Sequence, residues 1–514
     1  SNRMERRQIS RVLISVSDKA NLANLAKNLS NLGIEIISTG GTSKSIKNEK
    51  VDVVPVENVT NFPEMMGGRV KTLHPLIFGG ILARDSDTEE VEKHSIGLID
   101  MVVCNLYPFK DAVSKGVDLQ SLIEEIDIGG PSLLRASAKN HNRVAVVSDP
   151  EDYGWGIDEI KKGGLNLEQR QELALKAYRH TAEYDTAIQG ELAVRFGEEG
   201  LPSSLHISGI GSPPLRYGEN PHQGAIFYSD FSPFSPSVSD AKLLQGKQLS
   251  YNNLLDFDAA LSIVTEFDEL TAVVVKHNNP CGAASADTLE EAYELAINTD
   301  PQSSFGGIIS FNGEVDGELA KSIVSSFKEG VIAPSYTDDA IEVLLTKPNL
   351  RVLETGSLDN YHRNPSLKSL DKGWLVQESD EAMIDISDCK VVTKTKPSDS
   401  ELESLHFAWK IVKHVKSNAI VFVKDKRTVG IGAGQMSRID SVKIANFKSI
   451  PNAKGCVMAS DAFFPFRDGV DEAIEAGISA IIQPGGSMRD QEVIDAANEH
   501  GVSMVLTGMR HFKH

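Results

Sequence analysis

Over residues 1–150, short apolar runs alternate with helical patterns, and that alternation leaves few folds open to the chain. Arg11-Val-Leu-Ile-Ser-Val16 reads as a strand. Ser17-Asp18-Lys19 follows, then a helix carrying Leu22, Leu25, Ala26 and Leu29. Ile34-Glu-Ile-Ile-Ser38 is a second strand, running through Thr39-Gly40-Gly41-Thr42 into another helix, and Met101–Cys104 and Val144–Val147 are further strands. Alternation of this kind predicts a doubly wound parallel sheet with helices on both faces. Residues 168–196 read as one long helix, and the Pro- and Ser-rich stretch after Leu201 reads as a linker, so domains of 1–200 and 201–514 are expected.

The second part is again mixed α/β. Thr271–Val275, Gly307–Ser310 and Ala419–Val423 read as buried strands, with helices near 287–297, 401–415 and 490–500. It is large for a single core, which predicts two similar units within it. At about 150 residues per domain, the 514-residue chain would hold three or four folding units.

Charge and cysteine usage narrow the setting. With 52 basic and 72 acidic groups the net charge is −20, so neither nucleic acid nor an anionic membrane surface is an expected partner. No apolar run is long enough for a membrane span. Cys104, Cys281, Cys389 and Cys456 form no CxxC pair, which suits a reducing cytoplasm and argues against a cysteine-rich zinc site.

Polar groups collect where the apolar runs end. Ser15, Ser17 and Lys19 after one strand, and Thr39, Gly41 and Thr42 after the next, offer backbone N–H groups and helix starts to an anion, with Ser17 or Asp18 as helix caps. Gly67-Gly68-Arg69-Val-Lys71-Thr72-Leu-His74-Pro75 brackets two cations with glycines and proline, as a shaped loop does, and Asn105 and Tyr107 follow a strand. Asp127 precedes Gly129-Gly130-Pro131, a helix start, and Ser132, Arg135 and Lys139 share a face of that helix. Asp127 and Lys139 are expected to meet over one small molecule.

In the second part, Arg216-Tyr217-Gly-Glu-Asn-Pro-His is a dense polar run with an arginine suited to phosphate. Tyr251-Asn252-Asn253 opens a helix, and Asp256 and Asp258 read equally as caps or as site carboxylates. The most telling run is Val273-Val-Val-Lys276-His277-Asn278-Asn279-Pro280-Cys281: a buried strand delivers an ammonium and an imidazole together only where it ends, here before a proline. A zinc deaminase needs Pro-Cys-x-x-Cys, and Ala284 stands where its second cysteine would be, so that signature fails. Gly430-Ile-Gly432-Ala-Gly434-Gln435 follows a hairpin and is discounted as a dinucleotide fingerprint, and Phe463 lies in an aromatic cluster beside charges.

Taken in order, SVSDK, GGRVKTLHP, DIGGPSLLRASAKN, RYGENPHQ, KHNNPCG, GIGAGQMSR and SDAFFPFRD resemble the bifunctional purine-biosynthesis family that joins IMP cyclohydrolase to aminoimidazole carboxamide ribonucleotide (AICAR) formyltransferase, over essentially the whole chain. The resemblance implies a methylglyoxal-synthase-like domain followed by a cytidine-deaminase-like portion. It also implies a cytoplasmic homodimer, with AICAR, formyl-AICAR and the co-substrate 10-formyltetrahydrofolate as ligands and no required metal. Matched to the family's phosphate pattern are Ser15, Ser17, Lys19, Thr39, Gly41 and Thr42, and to its cyclising pocket Arg69, Lys71, Thr72, Asn105, Tyr107, Asp127, Gly130 and Lys139. Matched to its nucleotide and folate contacts are Arg216, Tyr217, Asn253, Lys276, His277, Gly306, Asn418, Arg438, Phe463 and Arg510. Lys276, His277 and Asn418 are implied for transfer, and Lys71, Tyr107, Asp127 and Lys139 for ring closure. Glu329 stands where some relatives carry aspartate. A zinc deaminase and a non-catalytic nucleotide sensor are the rival readings.

Overall fold

A computed structural model describes residues 5–230 and 236–514. The chain divides into two compact units, Ser1–Ser208 and Gly209–His514, rather than three or four.

The first unit is built on five parallel strands, β1 (Arg11–Val16), β2 (Glu35–Ser38), β3 (Val54–Pro55), β4 (Met101–Asn105) and β5 (Ala145–Val147), in the order β3-β2-β1-β4-β5. Leu13, Ile14, Ile36, Ile37, Val102 and Val103 are buried on both faces, as helix-covered parallel strands require. Helix α1 (Leu22–Asn31) and α2 (Gly40–Asn48) follow the first two strands, α3 (Gly129–Lys139) follows β4, and α4 (Leu167–Arg195) closes the unit with a capping box at Asn166. Strand order reverses between β1 and β4, and ligands of open α/β sheets sit at the carboxyl ends of such a switch point.

The second unit is organised by one sheet of twelve strands, in the order β6-β11-β10-β9-β7-β8-β14-β13-β15-β16-β17-β12. Its first half holds β6 (Lys242–Gln245), β7 (Thr271–Lys276), β8 (Asn279–Ser285), β9 (Ile308–Phe311), β10 (Gly330–Ala333) and β11 (Arg351–Glu354). The second half holds β12 (Lys390–Val391), β13 (Ile420–Lys424), β14 (Arg427–Gly432), β15 (Val457–Ser460), β16 (Ala480–Gln483) and β17 (Ser503–Leu506). Each half has an antiparallel hairpin, β7–β8 or β13–β14, an antiparallel neighbour, two parallel strands and an antiparallel edge strand; the halves join where Ala284 pairs with Arg427.

The two expected similar units are thus halves of one sheet. Ile420, paired with Ser460, follows Ala272, paired with Phe311, by 148 positions, and Val457 follows Ile308 by 149. No fixed-period repeat is evident in the residues because packing preserves the apolar pattern and not the side chains. Helices α5 (Tyr251–Val264) and α9 (Asp399–Val412) cover one face with a shared core around Phe257 and Trp409. On the other face each half has its own core, beneath α6 (Leu289–Thr299), α7 (Gly317–Val324) and α8 (Asp338–Leu344) in the first and α10 (Arg438–Ser449) in the second. Alternation along β7 shows the cause: Val273 and Val275 face the shared core, Ala272 and Val274 the private one.

Candidate functional site

At the carboxyl ends of β1 and β2, hydroxyls stitch the two strands together. Ser15 Oγ lies 3.2 Å from Thr39 Oγ1, and Thr42 Oγ1 both donates to the Val16 carbonyl (3.1 Å) and accepts from its N–H (3.2 Å). Thr39 is the N-cap of α2 in an extended conformation with no side-chain cap, which leaves the first N–H groups of α2 facing outward beside Gly41, around which nothing lies within 4 Å of an added Cβ. Neither Ser17 nor Asp18 caps α1. That helix starts later, with Asn21 as N-cap, so residues 17–20 form a loop. Asn105 braces this loop: its Oδ1 accepts from the N–H groups of Ser17 and Asp18, both at 2.8 Å, and its Nδ2 donates to the Asp18 carbonyl at 3.2 Å. Lys19 Nζ reaches the Val16 carbonyl at 3.4 Å, and the side chain is exposed.

The 66–75 loop comes to the same edge. Lys71 Nζ stands 3.5 Å from where a Cβ on Gly40 would lie, and Thr72 Oγ1 3.0 Å from one on Gly129. Arg69 is paired with Glu124, both exposed, a weak pair that an anion can displace. Asp127 Oδ1 accepts from Gly130 N–H at 3.0 Å, and a Cβ on Gly130 would collide with the Asp127 carboxylate and with Leu106. Gly130 is therefore in the site as space. Tyr107 lies beneath Lys115, whose Nζ is 5.0 Å from the ring centroid, a cation not anticipated from sequence.

Lys139 closes α3 while Asp127 precedes that helix, so eleven residues at about 1.5 Å each set their backbone positions roughly 16 Å apart along the axis, a span that the lysine side chain, leaning back toward the helix N-terminus, shortens. Helical phase puts Lys139 on the expected face but at the other end. What sequence reasoning missed is α4: His180 Nε2 accepts from Leu106 N–H at 3.3 Å, and the Tyr184 hydroxyl accepts from Asp127 N–H at 2.8 Å and donates to the Glu125 carbonyl at 3.3 Å. Burial lowers the His180 pKa, keeping the ring a neutral acceptor. These two residues one turn apart fix both stretches that carry Tyr107 and Asp127.

In the second unit β7 does not stop at a proline. It turns directly into β8, and Pro280 lies inside β8 where the register shifts. The turn is His277-Asn278, left-handed at both residues (φ 50 and 67). Lys276 Nζ donates to the Phe305 carbonyl at 2.6 Å, over Gly306, which is itself left-handed at φ 75. His277 is exposed at this mouth, and beneath it the half-buried Asp256 Oδ1 accepts from Asn278 N–H at 2.9 Å. Burial raises the Asp256 pKa against that bond and the nearby Lys276 and His277. Asp256 is in the second turn of α5 and caps nothing, since Ser250 is the N-cap and shares a capping box with Asn253.

Asn279 Oδ1 accepts from Lys416 N–H at 3.0 Å, which brings the loop carrying Asn418 beside the turn. Asn418 Oδ1 accepts from Arg438 Nη2 at 2.7 Å and its Nδ2 donates to the Gln435 carbonyl at 2.9 Å, leaving one amide N–H uncommitted. Arg438, expected as a substrate contact, is 7% exposed and bound to Asp461, Ser460 and Asn418. Its Nη2 bond holds the Asn418 amide in place. Phe463 is exposed on the loop after β15, Arg510 is stacked on Phe512 at 4.2 Å, and Arg216 is stacked on Tyr217 at 5.6 Å in an exposed loop.

Beyond Phe327 a cavity of about 560 Å³ is lined by Lys247, Lys328, Glu329, Lys347 and Arg351. Glu329 is engaged by Arg351 at 3.0 Å, and Lys328 is 5% exposed with Nζ on Ser326 Oγ at 2.7 Å, its pKa lowered by burial. Sequence reasoning noted Glu329 and missed the four cations, which lie scattered along the chain and gather only through β10 and β11. Among the described residues no group of three or more His, Cys, Asp or Glu side chains is set to hold a metal, and no helix is long and apolar enough to cross a membrane.

Residues 21–132 match the model of the MGS-like domain, and residues 137–448 match that of the AICARFT/IMPCHase bienzyme. The bifunctional purine biosynthesis protein PurH of Persephonella marina is 50% identical over 98% of this chain and 99% of its own length. The protein of the same name from Brucella ovis is 51% identical over 99% of this chain and 97% of its own. Among solved structures, that of ForH aligns over 37% of this chain at 35% identity with a TM-score of 0.34. On identity sustained from end to end with relatives of equal length, and on two successive domain matches, the chain belongs to the AICARFT/IMPCHase bienzyme family.

Proposed function

We propose that each unit carries one of the family's two activities: formyl transfer to AICAR in residues 209–514 and dehydrative closure of formyl-AICAR to IMP in residues 1–208. The chain is a bifunctional enzyme of the last two steps of IMP synthesis. The observation that supports the division is the mouth of the β7–β8 hairpin, which carries Lys276 and His277 and is tied to the loop of Asn418 by the Asn279–Lys416 bond of 3.0 Å.

In the transfer, the 5-amino group of AICAR attacks the formyl carbon on N10 of 10-formyltetrahydrofolate. That amine is conjugated with the imidazole carboxamide and is a poor nucleophile until it loses a proton. His277 takes the proton, an effect worth roughly 10²–10⁴ in rate. Lys276 and the free amide N–H of Asn418 donate to the tetrahedral oxyanion, each worth on the order of 10²–10³. Collapse expels tetrahydrofolate, protonated at N10. Arg438 holds Asn418 in place. The anionic ends of the substrates are served by the cation-lined cavity and by Arg216 and Arg510, with Asn253 and Tyr217 as further polar contacts and Phe463 against a flat ring.

In ring closure the carboxamide nitrogen attacks the formyl carbon of the same molecule and water leaves. Holding the reacting atoms together can supply up to roughly 7–11 kcal/mol. The strand-end cradle of Ser15, Ser17, Lys19, Thr39, Gly41 and Thr42 takes the phosphate, Arg69 and Thr72 flank it, and Lys71, Tyr107 and Asp127 steer the ring and carry protons. Lys139 is the fourth group of this set.

A homodimer in a reducing cytoplasm completes the reading. Its supports are four free thiols and the hairpin Ser366–Leu370/Gly373–Gln377, which exposes Leu370, Trp374 and Leu375 on a two-stranded ribbon marginal alone in water. Incubation with AICAR and 10-formyltetrahydrofolate should yield IMP and tetrahydrofolate. AICAR binding without turnover would favour the nucleotide sensor.

A further inference from the structure

The turn that presents His277 has a twin. In the second half Asp425-Lys426 forms the same two-residue turn, with φ of 52 and 58, between the paired Lys424 and Arg427. Two adjacent left-handed residues without glycine are an uncommon choice for a hairpin, which favours Asn-Gly or Asp-Gly, so each turn has to be held by what surrounds it. The twin is held by the Lys426 carbonyl, which accepts from Ser285 N–H at 3.0 Å, and by the Lys426–Glu269 ion pair. The His277 turn is held instead by the Asp256 carboxylate on Asn278 N–H at 2.9 Å.

The repeat identifies what the fold needs under such a turn. Helices α5 and α9 begin alike, Ser250 and Ser398 as N-caps with Asn253 and Glu401 closing the capping boxes, 148 positions apart in each case. The same spacing carries Asp256 onto Ser404, which is buried and uncharged. The sheet therefore forms this turn without an acid from the covering helix, and a carboxylate kept half-buried on α5 at a desolvation cost serves what the first turn alone carries.

Resting on the formyl-transfer reading above, we propose that Asp256 is a positioning residue for that reaction: by fixing Asn278 N–H to α5 it sets the direction of the His277 imidazole and of Lys276 beside it. Asp256 touches no reacting atom; it acts through the turn.

The test uses the full chain and three variants, assayed for formyl transfer and separately for cyclisation of supplied formyl-AICAR. Asp256→Ser installs the residue that the second half tolerates at this place. It should lower the transfer kcat about ten-fold or more, with KM for AICAR within about two-fold. Cyclisation should be unchanged. Asp256→Asn keeps an oxygen that accepts from Asn278 N–H and should recover most of the rate. Ser404→Asp, the reverse exchange, should leave both activities at the starting level. A serine variant with full kcat, a rise in KM in place of a fall in kcat, or an asparagine variant as slow as the serine one each overturns the positioning role. An unsubstituted chain without formyl transfer overturns the underlying reading instead.

Discussion

Lys276 and Lys424 occupy one place in the two halves of the sheet: their Nζ atoms lie 3.3 and 3.6 Å from where a Cβ would stand on Gly306 and Gly455, both left-handed glycines at φ 75 and 82. Asp461 and Asn312 are likewise equivalent, each accepting the N–H that precedes or opens the hairpin strand, from Ala419 at 3.1 Å and from Thr271 at 2.9 Å. Yet where one mouth has His277, Asn418 and Arg438, the positions 148, 148 and 149 residues away in the other half are Asp425, Leu270 and Leu289. The duplicated frame holds a lysine over a glycine twice, and the remaining chemistry is built once.

Removing the imidazole tests that asymmetry most directly. His277→Ala should lower formyl transfer by roughly 10²–10⁴ while leaving ring closure of supplied formyl-AICAR intact. Loss of both activities in a folded chain would count against two separate sites.

Gly306 should be intolerant for a local reason. Alanine there would take a left-handed backbone at a cost of about 1 kcal/mol, and its Cβ would stand 3.3 Å from Lys276 Nζ and from the Phe327 ring. Because Lys276 is held on the neighbouring Phe305 carbonyl, the ammonium must shift. Gly306→Ala is expected to reduce kcat/KM for transfer by about ten-fold with cyclisation unchanged; equal effects on both reactions would mean general destabilisation.

The reciprocal case is Gly130. A methyl group there would strike the Asp127 carboxylate and lie 2.7 Å from Leu106 Cδ2, beside the bond that Asp127 Oδ1 accepts from Gly130 N–H. Gly130→Ala should lower cyclisation by about a hundred-fold and spare transfer. Wild-type cyclisation in this variant would remove the Asp127–Gly130 arrangement from the pocket.

Much of this was legible from residues, for reasons that differ by element. The parallel strands of the first unit are buried on both faces, so β1 and β4 appear as uninterrupted apolar runs, and their polar ends mark the switch point without further information. Lys276 and His277 are legible for the same reason. For Lys139, helical phase tells which face the residue shares and not how far its ammonium stands from Asp127. His180 and Tyr184 were invisible because they serve the site through backbone N–H groups of Leu106 and Asp127, contacts that leave no mark in a sequence pattern. The buried partner of Arg438 was not legible, because nothing local to it announces Asp461, 23 positions on and wholly buried.

The last expectation concerns stability against pH. His414, just past the end of α9, donates Nε2–H to Glu266 Oε1 at 3.1 Å and sets Nδ1 3.5 Å from Ser262 Oγ of α5; Lys413 Nζ joins the same carboxylate at 2.9 Å, with Lys513 nearby. Burial pushes the His414 pKa down to about 4, even though the bond to Glu266 works in the opposite direction. Burial alone would raise Glu266, but the bonds and charges of His414 and Lys413 outweigh it, so the carboxylate stays ionised and the imidazole stays neutral. An unfolded histidine takes its proton near pH 6.5, before the folded one does. The stability held by neutral His414 is therefore complete above about 6.5 and drains away as pH falls toward 4, by on the order of 3 kcal/mol at most. His414→Gln keeps a donor for Glu266 and has no proton to gain. Its thermal midpoint should fall less steeply than that of the unsubstituted chain between pH 6.5 and 4, and parallel curves would show that His414 is not the group that titrates.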